Sequence, residues 1–220
     1  MKRRMFISKG LKTALLLSLP FANKLKGNTR MPDFLKSASM NNKDQNANTT
    51  RILIAYSSRY GSTADVAKAI GKVLEKHGNM VDIKNVEDSI EIKGYDSIVI
   101  GSAINYDHWM PEAHNFLLKN EAYLSEIPVA YFFTCLVLSQ KTDKTLRKAE
   151  GYADKIRQLS SKVNPISVQE FAGALNYKKM SFFHRTIMKS VMAVIGVKEG
   201  DYRDWKAIES WANSLKKSQY

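Results

Sequence analysis

Apolar and polar positions alternate in blocks from Arg51 onward, and each block has the length of one secondary-structure element. Short, nearly continuous apolar runs bounded by turn residues are typical of buried strands. The pattern predicts five strands, within residues 51–57, 80–86, 95–104, 127–137 and 165–175. The run at residues 80–86 alternates between apolar and polar, which predicts a strand at the edge of the sheet.

Between these strands, apolar residues recur at helical spacing. In residues 62–78, Val66, Ile70 and Val73 share one face, and Gly78 follows the last turn, as is common at a helix C-terminus. Further helices are predicted within residues 112–124, 142–163 and 203–217. Because strand and helix alternate throughout, we expect an α/β fold with a doubly wound, five-stranded parallel sheet covered on both faces.

Three polar loops follow predicted strands, and ligands of such sheets bind beyond the carboxyl ends of the strands. The loops are YSSRYGST at residues 56–63, GSAINYDHW at 101–109 and TCLVLSQK at 134–141. The first gathers hydroxyl and backbone N–H groups at a helix N-terminus, which suits a single phosphate. The alternative is a hydroxyl-rich helix cap. Residues 58–63 are six consecutive polar or glycine positions, more than a cap requires.

Two common nucleotide motifs are missing from the first loop. It has neither the GxxxxGK[ST] spacing of nucleotide hydrolases nor the GxGxxG spacing of dinucleotide sites, which argues against both classes. The single cysteine, Cys135, excludes an internal disulfide and a multi-cysteine metal centre. We expect it to be a small, buried core residue and expect no metal.

The net charge of +13 is unevenly distributed. Residues 1–50 carry ten Lys/Arg and two Asp/Glu, whereas residues 171–198 carry five Lys/Arg and no acid. The remainder of residues 51–220 is balanced, with 19 bases and 19 acids. A nucleic-acid surface would show a broader basic footprint, so we expect no nucleic-acid partner.

The N-terminal region divides at about residue 23. Residues 1–23 contain RRMFISK followed by a short apolar run, which resembles a twin-arginine export signal. The alternative is a basic amphipathic anchor on a membrane surface, since the apolar run is too short to cross a bilayer. Residues 24–50 are polar and rich in asparagine, which predicts a disordered tether before a domain spanning residues 51–217.

The first loop resembles the phosphate loop of flavodoxins. More specifically, the chain resembles the flavodoxin-like, quinone-dependent protoporphyrinogen IX dehydrogenases of bacterial haem synthesis over roughly residues 51–213. The stretches that carry this resemblance are SSRYGST, IGSAINYDHW, FAGALNY with the basic segment after it, and the closing DW with its helix. The resemblance implies a flavodoxin-like sheet with strand order 2-1-3-4-5 and a non-covalent FMN cofactor.

The resemblance also implies positions for the FMN contacts. The phosphate would be held by Ser58, Arg59, Tyr60, Gly61, Ser62 and Thr63. The isoalloxazine ring would lie between Ala103, Ile104, Asn105 and Tyr106 on one side and Thr134, Cys135, Leu136 and Val137 on the other. Tyr106 or Trp109 is the candidate for stacking on the ring. The sequence identifies no catalytic residue, although His108 lies in the predicted flavin loop.

Residues 176–198 form a basic and apolar insertion before the closing helix. We expect a helix from about Phe182, with Ile187, Val191, Val194 and Ile195 on one side. Basic residues beside apolar ones suit an anionic membrane surface or the carboxylates of a porphyrin; the alternative is a core-packing helix with a solvated basic edge. The candidate membrane or substrate residues are Lys178, Lys179, Phe182, Phe183, Arg185 and Lys189.

Taken with the resemblance, these features predict an FMN oxidoreductase that oxidises protoporphyrinogen IX and passes electrons to menaquinone. It would act peripherally at the bacterial cytoplasmic membrane, or on its outer side if the leader exports it. One rival is a non-catalytic electron-transfer flavodoxin, which would typically be acidic. The other is an NAD(P)H-quinone reductase, for which no nicotinamide motif is visible.

Overall fold

A computed structural model describes residues 49–215 of the 220-residue chain. This part contains the strands β1 (Arg51–Ser57), β2 (Met80–Asn85), β3 (Ser97–Asn105), β4 (His108–Trp109), β5 (Val129–Cys135), β6 (Ser167–Ala172), β7 (Ala174–Leu175) and β8 (Gly200–Asp201). Its α-helices are α1 (Ser62–Lys76), α2 (Pro111–Lys119), α3 (Glu121–Leu124), α4 (Asp143–Arg157), α5 (Phe182–Ile195) and α6 (Trp205–Leu215). The predictions for residues 1–48 lie outside the described residues.

The central sheet has the predicted doubly wound topology. Its five parallel strands lie in the order β2-β1-β3-β5-β6, which confirms the order 2-1-3-4-5, and β2 is an edge strand as expected. The short β4 adds to β3 as an antiparallel hairpin. The carboxyl ends of β1, β3 and β5 are neighbours, so the three predicted loops leave the sheet at one edge.

Helices cover both faces of this sheet because its strands are apolar on both sides. Along β1, Leu53 and Ala55 face a core built with α2, α3 and α4. The intervening Ile52 and Ile54 face a second core built with α1 and α6. Alternate side chains of a strand point to opposite faces, which gives the sheet two separate apolar layers.

Gly101 allows the two central strands to pack around a large ring. A Cβ atom at this position would lie 2.1 Å from Cζ of Phe132, the residue opposite it on β5. Phe132 is fully buried, and its ring also packs near Phe171 and Trp211. Any side chain larger than hydrogen at position 101 would displace this aromatic group, so the glycine is required by packing at the sheet centre.

Three predicted elements differ from the structure. The helix predicted at residues 142–163 is shorter than expected, because α4 ends at Arg157. The predicted helix at residues 112–124 is divided at Asn120 (φ −109°, ψ 8°), whose side-chain amide donates to the Phe116 carbonyl at 2.8 Å. The predicted last strand also stops early, at Ala172. After Gly173, β7 leaves the central sheet and pairs with β8 in a separate antiparallel ribbon.

The ribbon and α5 form a small subdomain with a core of its own. Leu175, Met180, Met192 and Val197 are its buried members, with Tyr60 and Leu136 packed against them from the first and third loops. This insertion therefore sits beside the carboxyl edge of the sheet. None of the helices within residues 49–215 is both long enough and apolar enough to cross a bilayer.

Candidate functional site

The first loop ends at Gly61, which caps α1 in a left-handed conformation (φ +87°). This conformation favours glycine because it has no Cβ. The Gly61 N–H donates to Ser58 Oγ at 3.1 Å, and its carbonyl accepts from the Asp65 N–H at 3.0 Å. The loop therefore presents a compact turn at a helix N-terminus, where the helix dipole favours an anion.

The hydroxyl groups of Ser62 and Thr63 point into the protein. Ser62 Oγ accepts from the Ala174 N–H at 3.1 Å and so connects the loop to the ribbon. Thr63 is fully buried, and its Oγ1 lies 2.9 Å from Oγ1 of Thr134. These contacts join the first loop to β7 and to the end of β5.

Arg203 connects the β7–β8 ribbon to the first turn of α1. Its guanidinium donates to Asp65 Oδ2 at 2.9 Å and to both carboxylate oxygens of Asp201 at 2.7 Å each. The bond from Arg203 keeps the pKa of Asp201 below its usual range. A fourth bond of Arg203 reaches the Ser62 carbonyl at 3.4 Å. The sequence carries no signal for its contacts with Ser62 and Asp65, because these residues lie 141 and 138 positions away along the chain.

The second loop is a tight hairpin that exposes an aromatic ring. Tyr106 and Asp107 connect the paired residues Asn105 and His108, and both have positive φ (49° and 64°). Two consecutive positive φ values are the signature of a type I′ turn, which is unusual for a bulky residue such as tyrosine. The Tyr106 side chain is 87% exposed. Trp109, the other stacking candidate, is instead buried against Tyr131 with ring centroids 5.2 Å apart.

The Asp107 carboxylate is held by two groups from α4. The Tyr152 hydroxyl donates to it, and Lys148 Nζ lies 3.1 Å from Oδ1. The Tyr152 bond, with a smaller contribution from Lys148, lowers the pKa of Asp107. Burial and the same hydrogen bond raise the pKa of Tyr152 to about 12, so its hydroxyl remains a donor at neutral pH. The strained turn is therefore anchored from outside the hairpin.

The third loop is mostly buried where it leaves β5. Thr134 and Cys135 are 3% and 4% exposed, whereas Leu136 and Val137 are partly exposed at the start of a short 3-10 turn. Burial raises the pKa of the Cys135 thiol to about 11, so it stays protonated. The expectation that Cys135 is a buried core residue is confirmed.

Two cavities flank the carboxyl edge of the sheet. One, of about 410 Å³, lies between the first loop and the insertion and is lined by residues that include Tyr60, Ser62, Asn176, Lys178, Lys179 and Arg203. The other, of about 390 Å³, lies beside the second loop and is lined by residues that include Ile104, His108, Trp109, His114, Tyr152 and Lys155. His108 is thus placed on the rim of the second cavity.

The six candidate membrane or substrate residues occupy different environments. Phe182 and Phe183 are 83% and 70% exposed. Arg185 donates to the Met180 carbonyl at 3.2 Å, and Lys189 Nζ lies 5.5 Å from the centre of the Tyr177 ring, so both contact their own subdomain. Lys178 and Lys179 line the first cavity.

Comparison with known proteins identifies the family of this domain. The flavodoxin domain family matches residues 53–201, which run from within β1 to the end of β8 and include five of the six helices. The chain belongs to the flavodoxin domain family. A solved short-chain flavodoxin associated with a bacterial microcompartment has the same fold: it covers 78% of this chain and 100% of its own, with a TM-score of 0.50 and 10% identity.

Two curated relatives align over most of the domain. The protoporphyrinogen IX dehydrogenase (quinone) of Escherichia coli K12 is 28% identical over 172 residues, covering 75% of this chain and 94% of the relative. The protein of the same name from Leishmania major is 30% identical over 174 residues, covering 75% of this chain and 74% of the relative. The predicted family resemblance is confirmed by these matches.

Proposed function

We propose that this protein is an FMN-dependent oxidoreductase that oxidises protoporphyrinogen IX to protoporphyrin IX and transfers the electrons to a quinone. The observation that carries the proposal is the alignment with two dehydrogenases of that name, at 28% and 30% identity and across 75% of the chain in each case. The alignments are long enough to include all three loops at the carboxyl edge rather than the phosphate loop alone.

The residues at this edge fit a flavin mononucleotide. Gly61 closes a turn whose N–H groups lie at the start of α1, a suitable position for one phosphate. The absence of a GxGxxG motif from the sequence argues against a dinucleotide. Tyr106 presents an exposed ring on the neighbouring loop, where a planar ring system would find a stacking partner. FMN, when bound, supplies the hydride and electron transfer of the reaction.

The chain contributes binding, orientation and exclusion of water. In the proposed site, residues 58–63 hold the phosphate, and residues 103–106 and 134–137 lie on opposite sides of the ring. Thr134 and Cys135, at the start of the third loop, are themselves shielded from water. The Asp107 anchor fixes the hairpin that presents Tyr106.

The acceptor within this proposal is menaquinone, reached at an anionic membrane surface through the insertion. The support is the exposed apolar face of α5, where Phe182, Phe183 and Val194 are each at least 70% exposed. Residues 171–198 also contain no Asp or Glu, so no acidic side chain of this segment would repel anionic lipid headgroups. A quinone dissolved in the bilayer would be accessible to a protein docked by this face.

An anaerobic assay with purified protein tests the activity. Protoporphyrinogen IX and a menaquinone analogue are the substrates, and porphyrin fluorescence reports the product. We expect porphyrin formation that depends on both the quinone and added FMN. If the protein exchanges electrons with the redox partner proteins of flavodoxins but leaves protoporphyrinogen unchanged, it would instead be an electron carrier. Quinone reduction with NADH or NADPH as the donor would support the reductase alternative.

A further inference from the structure

The side chain of Lys179 reaches the phosphate loop from the insertion. Its Nζ lies 3.2 Å from the position that a Cβ of Gly61 would occupy. The turn that carries it is fixed, because the Lys179 N–H donates to the Asn176 carbonyl at 3.2 Å and the adjacent Met180 is buried. A residue 118 positions away in sequence therefore places a cation at the start of α1.

The carboxylates that share the first cavity with this ammonium are bonded to other groups. In the first cavity, Asp65 and Asp201 are paired with Arg203, and the Glu199 carboxylate accepts from the Tyr177 N–H at 2.8 Å. Within residues 49–215, no carboxylate oxygen lies within 4.0 Å of Lys179 Nζ. The N-terminus of α1 is itself electropositive, so a cation placed there is unfavourable unless an anion contacts both groups.

We propose that Lys179 binds the phosphate of FMN together with residues 58–63. The inference rests on the FMN-binding part of the proposed function and is independent of the porphyrin and quinone parts. An anion that contacts both the Gly61 turn and Lys179 would satisfy the electropositive helix terminus and the ammonium at once. The insertion then has two roles, since its 3-10 turn (Tyr177–Lys179) contacts the cofactor while α5 faces outward.

Flavin binding to the full chain, freed of its flavin, tests this role without any turnover. The variant is Lys179→Gln, and the ligands are FMN and riboflavin, which lacks the phosphate. Loss of a charge-assisted bond should weaken FMN binding roughly 10- to 100-fold. Riboflavin affinity should stay within about twofold, because only the phosphate contact has been removed. Quenching of flavin fluorescence measures both constants.

Two further variants serve as controls. Lys198→Gln removes an exposed charge of the insertion that does not line the first cavity, and it should leave FMN affinity nearly unchanged. Lys179→Arg retains a cation and should recover most of the loss. Added salt should narrow the difference between wild type and Lys179→Gln, because screening weakens an exposed ionic contact.

Three results would overturn the assignment. An equal loss of FMN and riboflavin affinity in Lys179→Gln would show that Lys179 only supports the local fold. Unchanged FMN affinity in Lys179→Gln would show that this lysine does not bind the phosphate. Contact with the membrane or with porphyrin carboxylates would then be its candidate role. An equal loss of FMN affinity in Lys198→Gln would show that the total positive charge of the insertion, rather than a specific contact of Lys179, attracts the phosphate. A protein that fails to oxidise protoporphyrinogen but shows the expected flavin affinities would contradict the proposed reaction and leave this inference intact.

Discussion

At the scale of single residues, the hydroxyl pair of Thr63 and Thr134 joins two of the loops that form the site. Both side chains are buried, so each hydroxyl depends on the other for its hydrogen bond. Thr63→Val should lower the free energy of unfolding by about 1–3 kcal/mol, because the Thr134 hydroxyl remains buried without a partner. Urea denaturation of the flavin-free protein measures this, since bound flavin would itself add stability.

The matched control for this pair is the double variant Thr63→Val with Thr134→Val. Replacing both hydroxyls by groups of the same shape removes the unpaired donor or acceptor, so the double variant should be more stable than Thr63→Val alone. If the double variant loses as much stability as the two single variants added together, the result would contradict the pairing and indicate that the two hydroxyls act independently.

The anchor on Asp107 should make the stability of the hairpin depend on pH. Its pKa is lowered in the folded protein, chiefly by the Tyr152 bond. A lowered carboxyl pKa stabilises the fold above the pKa of the unfolded chain, about 3.9, and this stabilisation is lost as the pH falls through the folded value. Tyr152→Phe should therefore destabilise the protein at neutral pH and have less effect in acid.

Denaturation of wild type and Tyr152→Phe across a series of pH values checks this dependence. The gap in stability should be greatest at neutral pH and should narrow as the carboxyl is protonated. Lys148→Gln provides a comparison, because it removes the second and weaker contribution to the same shift. A gap that stays constant with pH would show that Tyr152 acts through packing alone, since its ring also contacts Phe133.

Among the secondary-structure elements, the sequence predicted those strands and helices whose apolar residues recur at a regular local spacing. The strands of the sheet and the face of α1 follow directly from apolar spacing, since each must bury one or two faces. The break at Asn120 was missed because the apolar pattern continues through it and only the local backbone changes direction. β7 was joined to β6 because no apolar signal separates them, while its partner β8 lies 25 residues away.

The insertion shows a further limit of periodicity. Its spacing placed Ile187, Val191, Val194 and Ile195 on one side of α5, and these residues are between 44% and 87% exposed. The buried member of the helix is Met192. A helix that is apolar on several sides gives no preferred buried face, so only the contacts with Leu175, Met180 and Val197 decide its orientation.

The candidate site residues also fall into two groups, those that a local motif predicts and those that depend on contacts distant in sequence. The first and second loops could be placed at the carboxyl edge of the sheet from local motifs next to predicted strands. Lys179 beside Gly61, Arg203 on Asp65 and Tyr152 on Asp107 are contacts between residues at least 45 positions apart. A single sequence contains no spacing signal for such pairs, because they depend on how the insertion and α4 pack against the edge of the sheet.

The exposed face of α5 gives a prediction for membrane binding. Phe182→Ser with Phe183→Ser should reduce binding to vesicles that contain anionic lipid, because the two largest exposed apolar groups of the helix are lost. Sedimentation with such vesicles measures the bound fraction. Activity with a menaquinone analogue in membranes should fall more than activity with a soluble dye.

The control places the same change elsewhere on the domain. Leu118→Ser with Leu146→Ser removes two half-exposed apolar side chains from α2 and α4, 46% and 43% exposed, and should leave vesicle binding unchanged. Equal loss in both pairs of variants would assign the binding to general surface hydrophobicity. Unchanged binding after the phenylalanine substitutions would remove α5 from the membrane contact.

At the scale of the whole molecule, the leader decides on which side of the membrane the domain would act. The predicted twin-arginine signal depends on Arg3 and Arg4 themselves, whereas a basic anchor depends only on positive charge. The planar guanidinium of arginine is not reproduced by lysine, although the charge is retained. Arg3→Lys with Arg4→Lys should therefore prevent appearance outside the cytoplasm and leave flavin content unchanged, because the flavin residues begin at Ser58. Cell fractionation with flavin analysis of each fraction measures both. Fractionation identical to wild type would contradict export and favour an anchor that holds the domain on the inner surface.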